Sequence, residues 1–197
     1  MTSKQQEKYP LGERFEKALQ FAARLHREQF RKTTNIPYVS HLLRVAGLAL
    51  EFGADEDTTM AALLHDAVED QGGLDTAAII RDQFGNKVAN IVLECSDSTT
   101  PQGTQKFDWR ERKENYIAHQ QVATPEARLV SCCDKLDNLT CTWRNYRQVG
   151  DECFKCFKTG KEGQRWYYAE LIKIFEKHNV QGWQELKELW EKLFTTE

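Results

Sequence analysis

The stretch "ALLHDAVED", residues 62–70, places a histidine and three carboxylates directly behind an apolar run. At 3.6 residues per turn, His65 and Glu69 fall on one stripe and Asp66 and Asp70 on the stripe beside it, opposite Leu64, Ala67 and Val68. The spacing predicts one helix running to the Gly72-Gly73 pair. The acids then lie in its last turns, where the helix dipole disfavours negative charge by about 0.3–1 kcal/mol each. Such an arrangement calls for a cation. Two other stretches also set polar residues among apolar ones: His41 heads "HLLRVAGLAL", and Asp134 sits in "CCDKLDNL". Buried carboxylates are costly unless paired or bound to a cation, and two imidazoles with two carboxylates suit a single-metal site. Singly, each residue has a plain structural reading: His41 as a hydrogen-bonded core histidine, His65-Asp66 as a surface pair, Asp134 as a helix-end acceptor. Together, with Glu69 and Asp70 one turn beyond, they favour a metal.

The elements that must position these residues read as helices throughout. Phe15, Leu19, Ala22 and Ala23 step at helical spacing, as do Val39, Leu42, Leu43, Ala46 and Leu50, and then Met60, Leu63, Leu64 and Ala67. Ala77, Ile80 and Phe84 form a helix stopped by Gly85, and Val88 to Cys95 begin another. The polar "SDSTTPQGTQ", residues 96–105, reads as a loop. Helical spacing resumes at Trp109, runs long after Pro125, and returns around Trp166 and Trp183. No stretch shows sustained strict alternation. The expectation is an all-α, single-domain bundle of about eight to ten helices spanning residues 1–197, with core motifs in 21–145 and C-terminal helices in 163–195.

Composition fits one well-filled core: 197 residues, 40% of them hydrophobic. The net charge of −3 is mixed along the chain, so neither a DNA or RNA footprint nor a polybasic membrane patch stands out. The first ten residues lack the apolar core of a signal peptide, and no apolar run approaches 18 residues, so a cytoplasmic protein is expected. Of six cysteines, Cys153 and Cys156 form one isolated Cys-x-x-Cys pair with no second pair to complete a zinc knuckle, and all six read as packed thiols.

The set "YVSHLLRVA", "ALLHDAVED" and "CDKLDNL", in this order, resembles the HD-domain metal-dependent phosphohydrolases. More narrowly, it is similar to the hydrolase domain of RelA/SpoT-type alarmone enzymes and to the small alarmone hydrolases. The resemblance runs from Phe21 to Asn145 and loosely on to "WYY" at 166–168. It implies that His41, His65, Asp66 and Asp134 hold one divalent transition metal, with Mn²⁺ the usual ion. Glu69 and Asp70 can then flank the attacking water and handle protons without binding the metal.

A multiply anionic substrate needs cations, and the resemblance assigns Arg31 and Lys32 in "FRKTTNIPY" to its phosphates and Asn138 to the nucleotide pocket. Arg24 and Arg27, together with Lys113, could add charge. The implied partner is a phosphorylated nucleotide, and the implied reaction is removal of the 3′-pyrophosphate of guanosine tetra- or pentaphosphate. The chain has Thr140 where the family usually has arginine. Alternatives are hydrolysis of another nucleotide, such as a nucleoside monophosphate or NADPH, and a nucleotide-binding regulator without turnover. No synthetase domain is expected.

Overall fold

The computed structural model describes residues 10–32, 34–99 and 108–195, and the expected loop falls outside these from residue 100 to 105. Among the described residues ten α-helical elements follow one another: α1 (Glu13–Leu25), α2 (Val39–Glu51), α3 (Glu56–Leu64), α4 (Ala67–Asp70), α5 (Gly73–Phe84), α6 (Asn86–Cys95), α7 (Trp109–Val122), α8 (Pro125–Val149), α9 (Gly160–Lys177) and α10 (Trp183–Phe194). A 3-10 helix, η1 (Gly150–Cys156), joins α8 to α9. The all-α expectation stands, since the described residues contain only an isolated bridge between Phe30 and Pro37. None of the described helices is long and apolar enough to cross a membrane.

Local chemistry explains where the helices begin. Asp55 accepts from the Thr58 backbone N–H at 2.8 Å to start α3, and Asp108 accepts from that of Arg110 at 2.9 Å to start α7. Thr124 caps α8, with Pro125 in the first turn, where a missing N–H costs nothing. Every α3 residue from Thr58 to Leu64 is buried, so this helix is central and covered on all sides.

Helix α8 carries the architecture. Ala127, Val130 and Cys133 pack into one apolar cluster built with α1, α2, α3, α5 and α6. Cys132, Leu136 and Leu139 pack into a second cluster with α9, α10 and η1. Asp134 therefore sits on a helix held from both flanks. The loop before α2 is tied across itself, with Arg31 N–H donating to Ile36 O at 2.8 Å and Tyr38 N–H to Gln29 O at 2.9 Å, which fixes the segment bearing Arg31 and Lys32.

One expectation needs correction. The helix read from Met60 through Asp70 is broken: α3 ends at Leu64, and α4 begins only at Ala67. Asp66 takes φ −94°, ψ −2°, a sparsely populated backbone region where active-site residues recur. Glu69 and Asp70 thus lie in a single four-residue turn, and the helix-dipole argument for a cation does not apply to them. Another finding concerns the cysteines: all six are free, with Cys132, Cys133 and Cys153 buried and the other three half-buried.

Candidate metal centre

His41 comes from α2, His65 and Asp66 from the break between α3 and α4, and Asp134 from α8. His65 Nε2 lies 3.0 Å from Asp66 Oδ2 and 3.7 Å from Asp134 Oδ1, while His41 Nε2 lies 3.6 Å and 3.2 Å from the same two oxygens. Ligands about 2.1 Å from one ion stand roughly 3.0–3.5 Å from one another in octahedral or tetrahedral arrangements. Two of the four spacings, 3.0 and 3.2 Å, fall in that range, and the other two, 3.6 and 3.7 Å, lie just beyond it. His41, His65 and Asp66 offer ligand atoms within 4.8 Å of one another and could hold a metal ion.

The far side of each ring fixes which nitrogen faces the centre. His65 Nδ1 lies 2.8 Å from the Ala62 carbonyl, which can only accept, so Nδ1 carries the hydrogen. His41 Nδ1 is held 2.6 Å from Asp137 Oδ2, with the same consequence. Both Nε2 atoms are buried without a hydrogen-bond partner and face the carboxylates, so each neutral ring presents a lone pair there. Buried lone pairs facing two acids fit a cation. The cluster shows the same demand in its proton affinity: burial alone would lower the His41 pKa, but the facing carboxylates of Asp134, Asp137 and Asp66 outweigh it and raise it to about 9. His65 is also raised, its neighbouring carboxylates overriding burial. Asp66 and Asp134 are held well below the usual carboxylate range despite their burial.

Further side chains hold the four. The Tyr38 hydroxyl donates to Asp66 Oδ2 at 2.6 Å, and Asn138 Nδ2 donates to Asp134 Oδ1 at 2.5 Å. Lys135, buried against the rings of Tyr116 and Tyr167, pairs with Asp134 Oδ2. Asp137 also pairs with Arg44 and lies 3.7 Å from an Arg31 nitrogen. Asp137 was missed from sequence alone, although its place three residues after Asp134 on one helix was a usable signal; Tyr38 and Lys135 gave no signal beyond their neighbourhood.

Glu69 and Asp70 have separate surroundings. Asp70 Oδ2 accepts from Gln29 Nε2 at 2.8 Å, and Gln29 Oε1 in turn lies 2.7 Å from His26 Nδ1. Glu69 shares a hydrogen bond with Asp97, which lies in the polar segment after α6. Burial, followed by the Asp97 charge, pushes Glu69 up to about 8. Asp97 is itself held at about 2, because Lys113, the Glu69 hydrogen bond and Arg112 overcome its burial.

A cleft of about 620 Å³ opens beside the centre, the size of a nucleotide-scale pocket. Tyr38, Lys135 and Asn138 line it while holding Asp66 and Asp134, so cleft and centre share a wall. Arg31, Lys32, Lys113 and Arg144 bring positive charge, and Tyr167 and Tyr168 bring aromatic surface. Arg31, Lys32, Lys113 and Asn138 are thus gathered as the sequence suggested, although Lys113 is also paired with Asp97 at 2.6 Å. Arg24 is not: it lies on the exposed face of α1, away from the cleft lining. Arg27 is likewise exposed. Thr140 lines a neighbouring groove between α2, α8 and α10, and Arg144, one turn further along α8, lines both.

A helical bundle that converges two histidines and two aspartates from three separate segments defines a class, and this chain belongs to it: it is a member of the HD domain family, matched over residues 18–159. Within that class it is similar to the guanosine-3′,5′-bis(diphosphate) 3′-pyrophosphohydrolase MESH1 of Drosophila melanogaster, at 37% identity over 66% of this chain and 70% of that protein. It is equally similar, at 37% identity over 67% of this chain, to the Aquifex aeolicus protein named guanosine-3′,5′-bis(diphosphate) 3′-pyrophosphohydrolase, of which it spans only 18%. Among solved structures, a metazoan SpoT ortholog that hydrolyses ppGpp superposes with a TM-score of 0.76 at 26% identity, covering 94% of this chain and 98% of that one.

Proposed function

We propose that the protein is a metal-dependent phosphohydrolase that removes the 3′-pyrophosphate of guanosine tetra- or pentaphosphate, giving GDP or GTP and pyrophosphate. The observation that carries this reading is the pair of buried, unpartnered Nε2 atoms on His41 and His65, facing Asp66 and Asp134 at ligand spacing beside a cationic cleft. His41, His65, Asp66 and Asp134 hold the ion, for which Mn²⁺ suits an all nitrogen and oxygen set. When bound, it supplies Lewis-acid polarisation of a phosphoryl oxygen and activation of water.

The chain's own residues do the rest. Arg31 and Lys32, on the tied loop, bind phosphate oxygens and set the scissile bond against the centre. Asn138, already fixed by Asp134, offers its carbonyl to the nucleotide. Glu69 supplies a proton to the oxygen that leaves with the nucleoside, and Asp70, an acceptor oriented by Gln29, takes one from the attacking water. Tyr167 and Tyr168 give the base an apolar wall.

The test is a substrate screen of purified, Mn²⁺-loaded protein against guanosine tetra- and pentaphosphate, nucleoside monophosphates and NADPH. The expected result is GDP or GTP with one pyrophosphate per turnover. Turnover of NADPH or a monophosphate alone would move the substrate. Binding without turnover would make the chain a regulator.

A further inference from the structure

Asp97, two residues beyond α6, has a side chain only 3% exposed and is heavily paired. Arg112 Nη1 donates to both of its oxygens, at 2.7 and 2.8 Å, and Lys113 Nζ donates to Oδ2 at 2.6 Å. Both cations stand next to each other on α7, so one helix clamps the carboxylate from two directions. The same carboxylate is hydrogen-bonded to Glu69. Two carboxyl groups can share a hydrogen bond only when one of them carries a proton. Three charged donor contacts fix the negative charge on Asp97, and the proton therefore resides on Glu69.

We propose that Asp97 is a positioning residue for the reaction: clamped by Arg112 and Lys113, it receives the Glu69 hydroxyl and holds that carboxyl, proton in place, beside the metal ligands. This rests on the phosphohydrolase reading. It also divides the work of the two neighbouring acids. Glu69 gives its proton to the ribose oxygen as the phosphorus–oxygen bond breaks and the bonding pair leaves with that oxygen. Water forms the new bond to phosphorus, and its proton passes to the Asp70 carboxylate. Exchange with solvent then moves one proton from Asp70 back to Glu69, so substrate and water become alcohol and pyrophosphate with nothing left over. The groups facing Glu69 are Asp97 from the segment after α6, Lys113 from α7 and Asp66 from the break before α4. Lys113 favours loss of the proton, and Asp97 and Asp66 favour its retention. Removing the Asp97 charge leaves burial still favouring the proton but weakens the hydrogen bond that holds the Glu69 carboxyl in place.

The test is a double-mutant cycle on metal-quantified protein: wild type, Asp97→Asn, Glu69→Gln and the double variant, with single-turnover rates and KM for the accepted nucleotide. Asp97→Asn should lower kcat about 10- to 100-fold with KM and metal content within about twofold, and should cost nothing more in the Glu69→Gln background. A loss that persists undiminished in that background would show that Asp97 only supports the fold, and would overturn the proposal. Arg112→Gln keeps the carboxylate and loosens its clamp, covering an Asp97→Asn protein that fails to fold. Its kcat loss should be smaller, about threefold, and should likewise vanish beside Glu69→Gln; an undiminished loss overturns the proposal.

Infrared spectra need no turnover. The wild type at pH 7 should show a protonated-carboxyl band that disappears in Glu69→Gln and shifts to higher frequency in Asp97→Asn, where a weaker, uncharged acceptor meets the Glu69 hydroxyl. Absence of that band in the wild type overturns the assignment even if every nucleotide is hydrolysed. If the band behaves as expected but no nucleotide is turned over, the phosphohydrolase reading fails, and with it the catalytic part of the proposal.

Discussion

Replacing Asp137 with asparagine tests whether the metal site extends beyond its direct ligands. Asp137 is buried, accepts the His41 Nδ1 hydrogen at 2.6 Å and pairs with Arg44. Asparagine keeps the volume and still accepts that hydrogen, so the variant removes charge and little else. Through the imidazole, the carboxylate stands roughly 6.5 Å from a bound ion. Arg44 is 36% exposed, so water screens this corner. With an effective dielectric between about 40 and 80, a unit negative charge and a divalent ion attract by roughly 1.3–2.6 kcal/mol. Losing that interaction raises Kd about 10- to 80-fold, within the span commonly found when a carboxylate behind a ligating histidine is lost. Calorimetric titration of metal-stripped protein with Mn²⁺, against wild type at the same pH, gives the number directly. Far-UV circular dichroism should be unchanged. An affinity within threefold of wild type would refute the idea that Asp137 tunes His41.

Metal affinity should rise with pH up to about 9, because in the metal-free protein His41 keeps its proton to that point and the ion must displace it. The expected gain is up to about tenfold per pH unit for each proton displaced, and a flat profile between pH 6.5 and 9 would contradict it. The same raised pKa stabilises the metal-free fold fully below about 6.5 and ceases to do so as pH climbs through 9, so its thermal midpoint should fall over that interval. Glu69→Gln should retain metal while kcat drops about 100-fold or more, as measured by single turnover. Arg31→Ala should mainly raise KM, and unchanged kinetics with every accepted nucleotide would move the phosphate clamp elsewhere.

The four candidate ligands were legible because they break a rule: histidines and aspartates interrupt apolar helical runs, and such interruptions need partners. The helices were legible from the spacing of Phe15, Val39, Met60 or Trp183 and from Gly85 and Pro125 as stops and starts. The break after Leu64 was not, since Ala67 and Val68 continue the apolar period and neither glycine nor proline marks the interruption. Asp97 was hidden for another reason. Its partners Glu69, Arg112 and Lys113 lie 28, 15 and 16 residues away, and no local pattern pairs residues across such distances. Arg24 looked useful only because its helix precedes the loop; which face it occupies is decided by the packing of Ala18 and Ala22. Thr140 stands about 200° around the helix from Asn138, so its place in a different groove follows from helical geometry alone.

The interruption between α3 and α4 bears on how such a centre could be copied into another scaffold. Adjacent residues on an unbroken helix point about 100° apart, and their side chains diverge as they lengthen. Here His65 Nε2 and Asp66 Oδ2 meet at 3.0 Å because the backbone between Leu64 and Ala67 leaves the regular ladder. Grafting a His-Asp dipeptide onto a straight designed helix would reproduce the letters and lose the convergence. The transferable unit is the two-residue interruption together with the buried helix that ends there, the Ala62 carbonyl that orients His65, and the Tyr38 hydroxyl that steadies Asp66.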